Sequence, residues 1–430
     1  MKVDNGGGAV IHKTACPTRG RYGLRTFVVV GALLLAACGT AAASTLPAAQ
    51  RRLTKTVLVG ASLSLTGDFA SNGQEYVDAY KLWARQVNAS GGLLGRKVVL
   101  KILNDTSSPT QVATNYEDLI TVYHAPLLLG PFSSLLTVPS ARIAQRYGYA
   151  LITGSGGAPG VFDIGLKTVF DASAPVVGQS ISLAHLIAAM PKKERPRTAA
   201  YVTSNSIFAL ATIGPPKAIL QRAGIKTLYY KVWPSEITDL SPLADSIAAT
   251  RAQVVFIAET TPSHLVELLK TFIADHYNPE LISATSGVFG GTLKAALGAN
   301  SNGVIEAAGW YPSYKNSVSE AFVKAYTHLY HVSALSIAPT TAEAYSAAEV
   351  LTAAVKATHS FNQQRIIAYL RRATIPTVQG PARFNKLGEN VAAAFFQFQW
   401  QDRATKEVLI APPRTPGAGS ILFPKPHWVG

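Results

Sequence analysis

The chain has few cysteines and few charged residues for its length. Two cysteines, Cys16 and Cys38, occur among 430 residues, too few for a framework of disulfides. Charged residues make up 15% of the sequence and hydrophobic residues 48%, a balance that excludes a disordered chain and is typical of a globular protein. A chain of this length is expected to form about two to three domains.

Acidic residues are also scarce: the sequence has 24 Asp and Glu but 39 Lys and Arg, which gives a formal net charge of +15. Such an excess raises the possibility of nucleic acid or an anionic membrane surface as a partner. The basic residues are scattered in small groups, such as Arg51 with Arg52, and no stripe of them interleaves with aromatic residues. We therefore expect no binding of nucleic acid.

The apolar run near the N-terminus is too short to cross a membrane. It covers the eleven residues 27–37, whereas a spanning helix needs about 20. Five basic residues and one acid precede it, a pattern typical of a secretory leader rather than of a buried core helix. The four residues 35–38, "LAAC", resemble the lipobox of bacterial lipoproteins, in which the cysteine is lipid-modified and becomes the first mature residue.

We therefore expect residues 1–37 to be a lipoprotein signal peptide and Cys38 to be the site of lipid attachment. Cleavage before Cys38 also removes Cys16, so no second cysteine remains for a disulfide or a cysteine-rich metal site. The small, polar and basic residues 38–54 are expected to form a tether. The mature protein would then lie on the periplasmic or extracellular face, anchored to a membrane by lipid.

From residue 55 onward, predicted strands and helices alternate. Apolar, β-branched runs at 56–65, 97–103 and 125–130 are separated by stretches with helical periodicity, and a second series of the same kind begins near 198. This βαβ order predicts an α/β fold with two domains, each a parallel sheet covered by helices on both faces. Ligands of such sheets bind beyond the carboxyl ends of the strands.

Three segments at predicted strand ends are rich in glycine and hydroxyl side chains. They are "SLTGDFASNG" (64–73), "GPFSS" (130–134) and "TGSGGAPG" (153–160). Backbone N–H groups in such segments hold anionic groups such as carboxylates, although helix capping by Ser133 or Ser134 is an alternative for any single segment. Three of them at successive ends of one sheet favour a ligand cleft.

Motifs of enzymes are absent. The glycines of 154–160 do not fit the dinucleotide-binding pattern, "GASLS" lacks the last glycine of a nucleophile elbow, and the histidines do not cluster. No phosphate-binding loop and no metal-ligand spacing occurs either. We therefore expect no catalysis, no cofactor and no metal.

The segment "VNASGGLLGRKVVL" (87–100), together with "SLTGDFASNGQ" before it and "LLLGPFSS" after it, resembles the branched-chain amino-acid-binding family of ABC importers. The resemblance covers about 55–411. It implies the type I periplasmic-binding-protein fold, with two doubly wound α/β lobes joined by a three-segment hinge. The implied boundaries are 55–174 with 306–376 for lobe one, 175–305 with 377–411 for lobe two, and 412–430 for an extended tail.

The resemblance also implies which residues bind the ligand. Ser134 aligns with a serine that meets the ligand carboxylate, and Ser155 and Gly157 fall on ligand-contacting positions. The full set of expected ligand-binding residues is Asn72, Ser133, Ser134, Ser155, Gly156, Gly157, Phe208, Thr261 and Thr285.

Departures from the family concern the ammonium of an amino-acid ligand. Gly157 replaces a threonine near that group, Thr285 replaces a glutamate, and Thr261 replaces an aromatic residue of lobe two. Glu259 would restore the missing charge if its side chain turned inward. Because a buried ammonium without a carboxylate partner is costly, a carboxylate- or amide-bearing ligand is favoured over a standard branched-chain amino acid.

The sequence thus predicts a monomeric solute-binding lipoprotein. Its expected partners are a small polar ligand, the permease and ATPase subunits of an ABC importer, and a membrane reached through the lipid anchor. One alternative is a ligand-sensing lipoprotein of the same fold that signals to a membrane partner. Another is a serine hydrolase, for which no nucleophile, base and acid can be recognised.

Overall fold

A computed structural model describes residues 55–285 and 291–429. The expected signal peptide 1–37, the attachment site Cys38 and the tether 38–54 lie outside the described residues. Within the described part of the chain, no helix is both long and apolar enough to span a membrane.

The first sheet has five parallel strands. They are β1 (Thr56–Leu63), β2 (Lys97–Asn104), β3 (Leu127–Leu129), β4 (Leu151–Thr153) and β5 (Val169–Asp171). Their order in the sheet is β2-β1-β3-β4-β5. The short strands β3, β4 and β5 are fully buried, as continuous apolar runs in a parallel sheet predict.

Helices connect these strands, and their ends follow the local sequence. Ser108 accepts a hydrogen bond from the Gln111 N–H and Pro109 occupies the first turn, so these two residues fix the start of the second helix. The helices are α1 (Ala70–Ala89), α2 (Pro109–Thr121), α3 (Ser134–Arg146) and α4 (Pro159–Phe162).

The second sheet has seven strands. They are β6 (Thr198–Ser204), β7 (Lys226–Trp233), β8 (Val254–Ala258), β9 (Leu281–Ala284), β10 (Val304–Ala308), β13 (Phe396–Gln401) and β14 (Lys406–Ala411). Their order in the sheet is β14-β13-β10-β9-β8-β6-β7. Strands β6 to β10 run parallel, whereas β13 and β14 are antiparallel additions at one edge.

Separate hydrophobic clusters cover this second sheet, as expected of a doubly wound lobe. The helices of this lobe are α5 (Ile181–Ala188), α6 (Ile207–Arg222), α7 (Ser241–Ala249), α8 (Pro262–Ala274) and α9 (Gly291–Leu297).

The chain returns to lobe one after β10. This part contains three helices and a hairpin: α10 (Ser317–Tyr330), α11 (Pro339–Thr358), α12 (Gln363–Leu370), β11 (Thr374–Thr377) and β12 (Gly380–Arg383). Trp310, Leu351 and Phe384 all join the core of lobe one, so this core extends from 310 to 384 in the returning segment.

The second and third crossovers therefore lie later in the chain than the boundaries 306 and 376 predicted from the sequence. Strand β10 still pairs with β9 and β13 of lobe two, and the hairpin that follows α12 packs on lobe one. The three crossovers meet where Ala174, Ala307 and Phe395 form a small cluster. Beyond β14, the tail lies along lobe two, where the Lys425 N–H donates to the Glu280 carbonyl at 2.8 Å.

Candidate ligand-binding site

The carboxyl ends of both sheets face one cleft between the lobes. Lobe one contributes Asp68, Ser107 and Ser133, and lobe two contributes residues of the loops after β6, β7 and β8. The cleft has a volume of about 720 Å³ and leads to a smaller inner cavity, with Ser133, Phe208 and Thr260 on the walls of both. This arrangement fits the rule that open α/β sheets bind ligands beyond their strand ends.

The inner cavity combines aromatic walls with hydroxyl and carboxyl groups. Its volume of about 20 Å³ is close to the space that a single water needs, so a larger solute fits only if the walls move apart. Movement of one lobe against the other about three crossovers would provide that opening. The lining residues are Phe132, Ser133, Ser155, Ser173, Val176, Phe208, Thr260, Thr340, Glu343 and Phe395.

The two serines at the start of α3 have different positions. Ser133 lines the cavity and caps the helix, because its Oγ accepts a hydrogen bond from the Leu136 N–H at 3.4 Å. Ser134 is fully buried behind it, and its Oγ accepts from the Ala158 N–H at 3.2 Å. Ser134 therefore joins α3 to the loop after β4 and is absent from the cavity lining.

The loop after β4 connects the cavity to a chain of polar groups. The Tyr76 hydroxyl donates to the Ser155 Oγ at 2.7 Å, and the Ser155 hydroxyl donates in turn to the Glu343 carboxylate. The Gly156 N–H hydrogen-bonds to the Asp171 carboxylate. A Cβ atom on Gly157 would lie 2.9 Å from the Asp171 Oδ2, so this position has no room for the threonine that the family places there.

Three carboxyl groups lie on or near the lobe-one side of the cavity. Burial raises the pKa of Glu343 to about 8, that of Glu75 to about 7 and that of Asp171 to about 6, although hydroxyl groups of Ser155, Thr340 and Ser173 act in the opposite direction. The ion pairs found among the described residues involve none of these three carboxyl groups.

Lobe two contributes Phe208 from α6 and Thr260 from the loop after β8. Phe208 packs against the cores of both lobes, so its ring is placed where the lobes meet. Thr261 lines the outer cleft but not the inner cavity. Thr285 is buried and hydrogen-bonds to the backbone of Glu259, which places it outside the residues that line either space.

The Glu259 carboxylate does not turn toward the inner cavity. Its Oε1 accepts hydrogen bonds from the N–H groups of Thr260 at 2.5 Å and Thr261 at 3.0 Å, which are located at the start of α8. Its Oε2 lies 3.3 Å from the His264 Nδ1, and this contact raises the pKa of His264. Glu259 lines the outer cleft, where its charge is held by the helix N-terminus and by His264.

Asn72 lies on α1, outside the lining of the cavity and the cleft. Its side chain is buried, and its Nδ2 donates to the Glu75 Oε2 at 3.3 Å. Glu75 in turn accepts a hydrogen bond from the Thr340 hydroxyl, and Thr340 lines the cavity. Asn72 is thus connected to the cavity only through two other side chains.

Sequence reasoning missed Glu343, Thr340 and Ser173, all of which line the cavity. Glu343 contacts Ser155 across 188 positions of sequence, a distance that no local motif encodes. One signal was available, because Glu343 is an isolated acid among alanine, threonine and serine in the first turns of α11. A charged residue on the buried face of such a helix is expected to have a specific partner.

The pattern of the family described as periplasmic binding protein matches residues 56–405. An amino acid binding protein from Pseudomonas aeruginosa is 22% identical over 356 residues, which cover 81% of this chain and 91% of that relative.

Solved structures show the same fold. The branched-chain amino acid transporter substrate-binding protein LivJ from Streptococcus pneumoniae, in complex with isoleucine, superposes with a TM-score of 0.72 at 16% identity, covering 86% of this chain and 100% of that chain. A solute-binding protein of an ABC transporter from R. palustris, in complex with benzoate, gives 0.72 at 17% identity, with coverages of 86% and 98%. The chain therefore belongs to the periplasmic binding protein family and has the type I fold that its N-terminal motifs predict.

Proposed function

We propose that this protein is an extracytoplasmic solute-binding lipoprotein of an ABC importer, which captures a small polar ligand between its lobes and delivers it to the permease. The ligand is amino-acid-like or carries a carboxylate or amide group. The observation that supports this function best is the convergence of polar side chains from both lobes on one enclosed cavity at the strand ends. The protein binds its ligand without chemical change.

The start of α3 is the proposed site for a ligand carboxylate. Ser133 lines the cavity at the N-terminus of this 13-residue helix, where backbone N–H groups and the helix dipole favour an anion. The two similar structures are complexes with isoleucine and with benzoate, both of which carry a carboxylate. Both compounds are therefore suitable first probes for this protein.

A thermal-shift panel tests the binding function. It contains amino acids, aliphatic acids, benzoate and hydroxybenzoates, and amides, because a ligand that binds only the folded protein raises its melting temperature. We expect at least one carboxylate to raise the melting temperature, and an ester panel to show no turnover. Hydrolysis that disappears in a Ser134→Ala variant would instead support an enzyme.

Lipid attachment is proposed at Cys38, since the segment 35–38 has the lipobox pattern. We expect the protein to be found in the membrane fraction and to incorporate a labelled fatty acid in vivo. A Cys38→Ser variant should lose both the label and the membrane association, while a Cys16→Ser variant should keep both. Equal labelling of the Cys38→Ser variant would contradict this assignment.

A further inference from the structure

Glu343 is a buried carboxyl group on the wall of the binding cavity. Its side chain is 6% exposed, and it lies on α11, the long helix that packs against α1 and the end of β4. The Ser155 hydroxyl donates to it, and Ser155 is itself held by the Tyr76 hydroxyl at 2.7 Å. This relay orients the carboxyl group of Glu343 at the cavity.

No positive charge among the described residues forms an ion pair with this group. The ion pairs of residues 55–285 and 291–429 are Arg146 with Glu117, His264 with Glu259, and Lys406 with Asp402, all remote from Glu343 in the sequence and none involving it. The titratable groups that act on Glu343 from the neighbouring elements are Glu75 and Tyr76 of α1 and Asp171 of β5, all of them acids. From lobe two, the cavity is faced by the uncharged side chains of Phe208 and Thr260.

A buried carboxyl group among other acids is stabilised when a cation comes into contact with it. Three aromatic residues, Phe132, Phe208 and Phe395, line the same cavity, and the face of an aromatic ring attracts a cation. Ser133 and the start of α3 lie on the same cavity and favour an anion. The cavity thus offers sites for both charges of a small zwitterion.

We propose that Glu343 is the specificity-determining residue of this cavity and receives a cationic nitrogen of the ligand, a primary ammonium or an amidinium. This inference rests on the proposed solute-binding function. It assigns the cation-binding group to α11 of lobe one, whereas Thr285 of lobe two is buried on the Glu259 backbone and carries no charge. If the role of Glu343 were purely structural, glutamine could replace it without loss, because the glutamine amide oxygen can also accept the Ser155 hydrogen bond.

Binding of a cation should release a proton. Burial raises the pKa of Glu343 to about 8, so the carboxyl group is largely protonated at pH 7 in the free protein. An adjacent ammonium lowers that pKa, and the group then ionises. Proton release on binding is a readout that a purely structural role of Glu343 would not produce.

Matched probes test the proposal by isothermal titration calorimetry at pH 7. One pair is L-isoleucine and 3-methylpentanoate, and the other is 4-(aminomethyl)benzoate and benzoate, so that the members of each pair differ by the amine-bearing group. We expect the amine-bearing member of at least one pair to bind the wild type at least tenfold more tightly. Titration in two buffers of different ionisation enthalpy should show that its binding releases protons.

The Glu343→Gln variant should lose both the tenfold preference and the proton release while still binding the acid without the amine. Glu349→Gln is the matched control, since Glu349 is a partly buried glutamate of the same helix that accepts the Val378 N–H at 2.8 Å and does not line the cavity. This control should keep the preference. If Glu343→Gln does not fold, the wild type alone tests the proposal: proton release on binding of the amine-bearing probe supports it, and binding without proton release contradicts it.

Three results would overturn the inference, and they differ in what they imply for the solute-binding function. Equal binding of the acids with and without the amine, or an unchanged preference in Glu343→Gln, overturns the role of Glu343 but leaves the solute-binding function intact. Absence of binding by all four probes also overturns the role of Glu343, whereas the solute-binding function is contradicted only if no compound of the thermal-shift panel raises the melting temperature.

Discussion

At the residue scale, Phe208 lies at the junction of the two lobes and forms part of the cavity wall. Its ring packs against both lobe cores and lines the cavity. We expect Phe208→Ala to weaken binding of the best probe of the thermal-shift panel about tenfold, or about 1.4 kcal/mol, because a partly buried aromatic ring is lost from the cavity wall. Calorimetric titration of the variant against the wild type measures this change.

Leu210 provides the matched control for Phe208. It lies two residues further along α6, and its side chain is 43% exposed. Leu210→Ala should change neither the affinity nor the melting temperature appreciably, since exposed positions contribute little to stability. If Phe208→Ala bound the probe as tightly as the wild type, the ring would have no part in ligand binding.

At the element scale, Gly154 allows α11 to approach the loop after β4. A Cβ atom at this position would lie 2.4 Å from the Glu343 carbonyl oxygen and 2.9 Å from the Ala344 nitrogen, both backbone atoms of the helix. Gly154→Ala therefore has to displace the helix or the loop. We expect a loss of about 1 to 3 kcal/mol in the free energy of unfolding, measured by denaturant titration, together with weaker binding of the best probe.

Gly178 is the control glycine, because a Cβ atom there would meet only the Phe395 ring, at 3.9 Å. Gly178→Ala should therefore stay within about 0.5 kcal/mol of the wild type. Equal stability of Gly154→Ala and Gly178→Ala would show that the contact between α11 and the loop is not as tight as described.

At the scale of the whole molecule, buried carboxyl groups make stability depend on pH. Burial raises the pKa of Glu343 and Glu349 to about 8, of Glu75 and Glu407 to about 7, and of Asp171 to about 6. The folded protein therefore binds more protons than the unfolded chain, in which these groups titrate near pH 4. Their contribution to stability is complete below that pH and is lost as the pH rises through 6 to 8.

The melting temperature should accordingly fall between pH 5 and pH 7, by roughly 5 °C or more. The raised pKa of His264 acts in the same direction. Burial lowers the pKa of Lys425 to about 7, which makes stability rise with pH, but only above that value. Differential scanning fluorimetry in buffers of constant ionic strength measures the trend.

The Glu349→Gln variant tests the cause of this trend. Its side-chain oxygen can still accept the Val378 N–H, but the group no longer titrates. We expect a shallower decrease of the melting temperature than in the wild type. A melting temperature that rises from pH 5 to pH 7 in the wild type would contradict the assignment of these buried carboxyl groups.

Local patterns and the family motifs were sufficient for the fold class and for some of the residues that line the cavity. Helix α2 begins at Pro109 after the Ser108 cap, and β1 and β2 form at the predicted apolar runs 56–65 and 97–103, because capping and apolar patterns depend on neighbouring residues. Of the nine expected ligand-binding residues, the structure places Ser133, Ser155 and Phe208 on the inner cavity.

Other expected ligand-binding residues do not line the inner cavity, because their side chains point elsewhere. Ser134 and Thr285 are both buried, and each hydroxyl is hydrogen-bonded to the backbone of a neighbouring loop instead of lining the cavity. Thr261 reaches only the outer cleft. A sequence motif can identify the loop, whereas packing of the adjacent elements decides which side chain of the loop faces the ligand.

The sequence by itself determined the α/β class, the two-lobe organisation and the family, since these follow from periodicity and from glycine-rich motifs confined to short segments. Only the tertiary structure decided which acid faces the cavity. Glu259 caps α8, whereas Glu343, 188 positions after Ser155, faces the cavity because α11 packs on the loop after β4. Contacts between distant segments arise from the packing of whole elements, and no local pattern of residues encodes them.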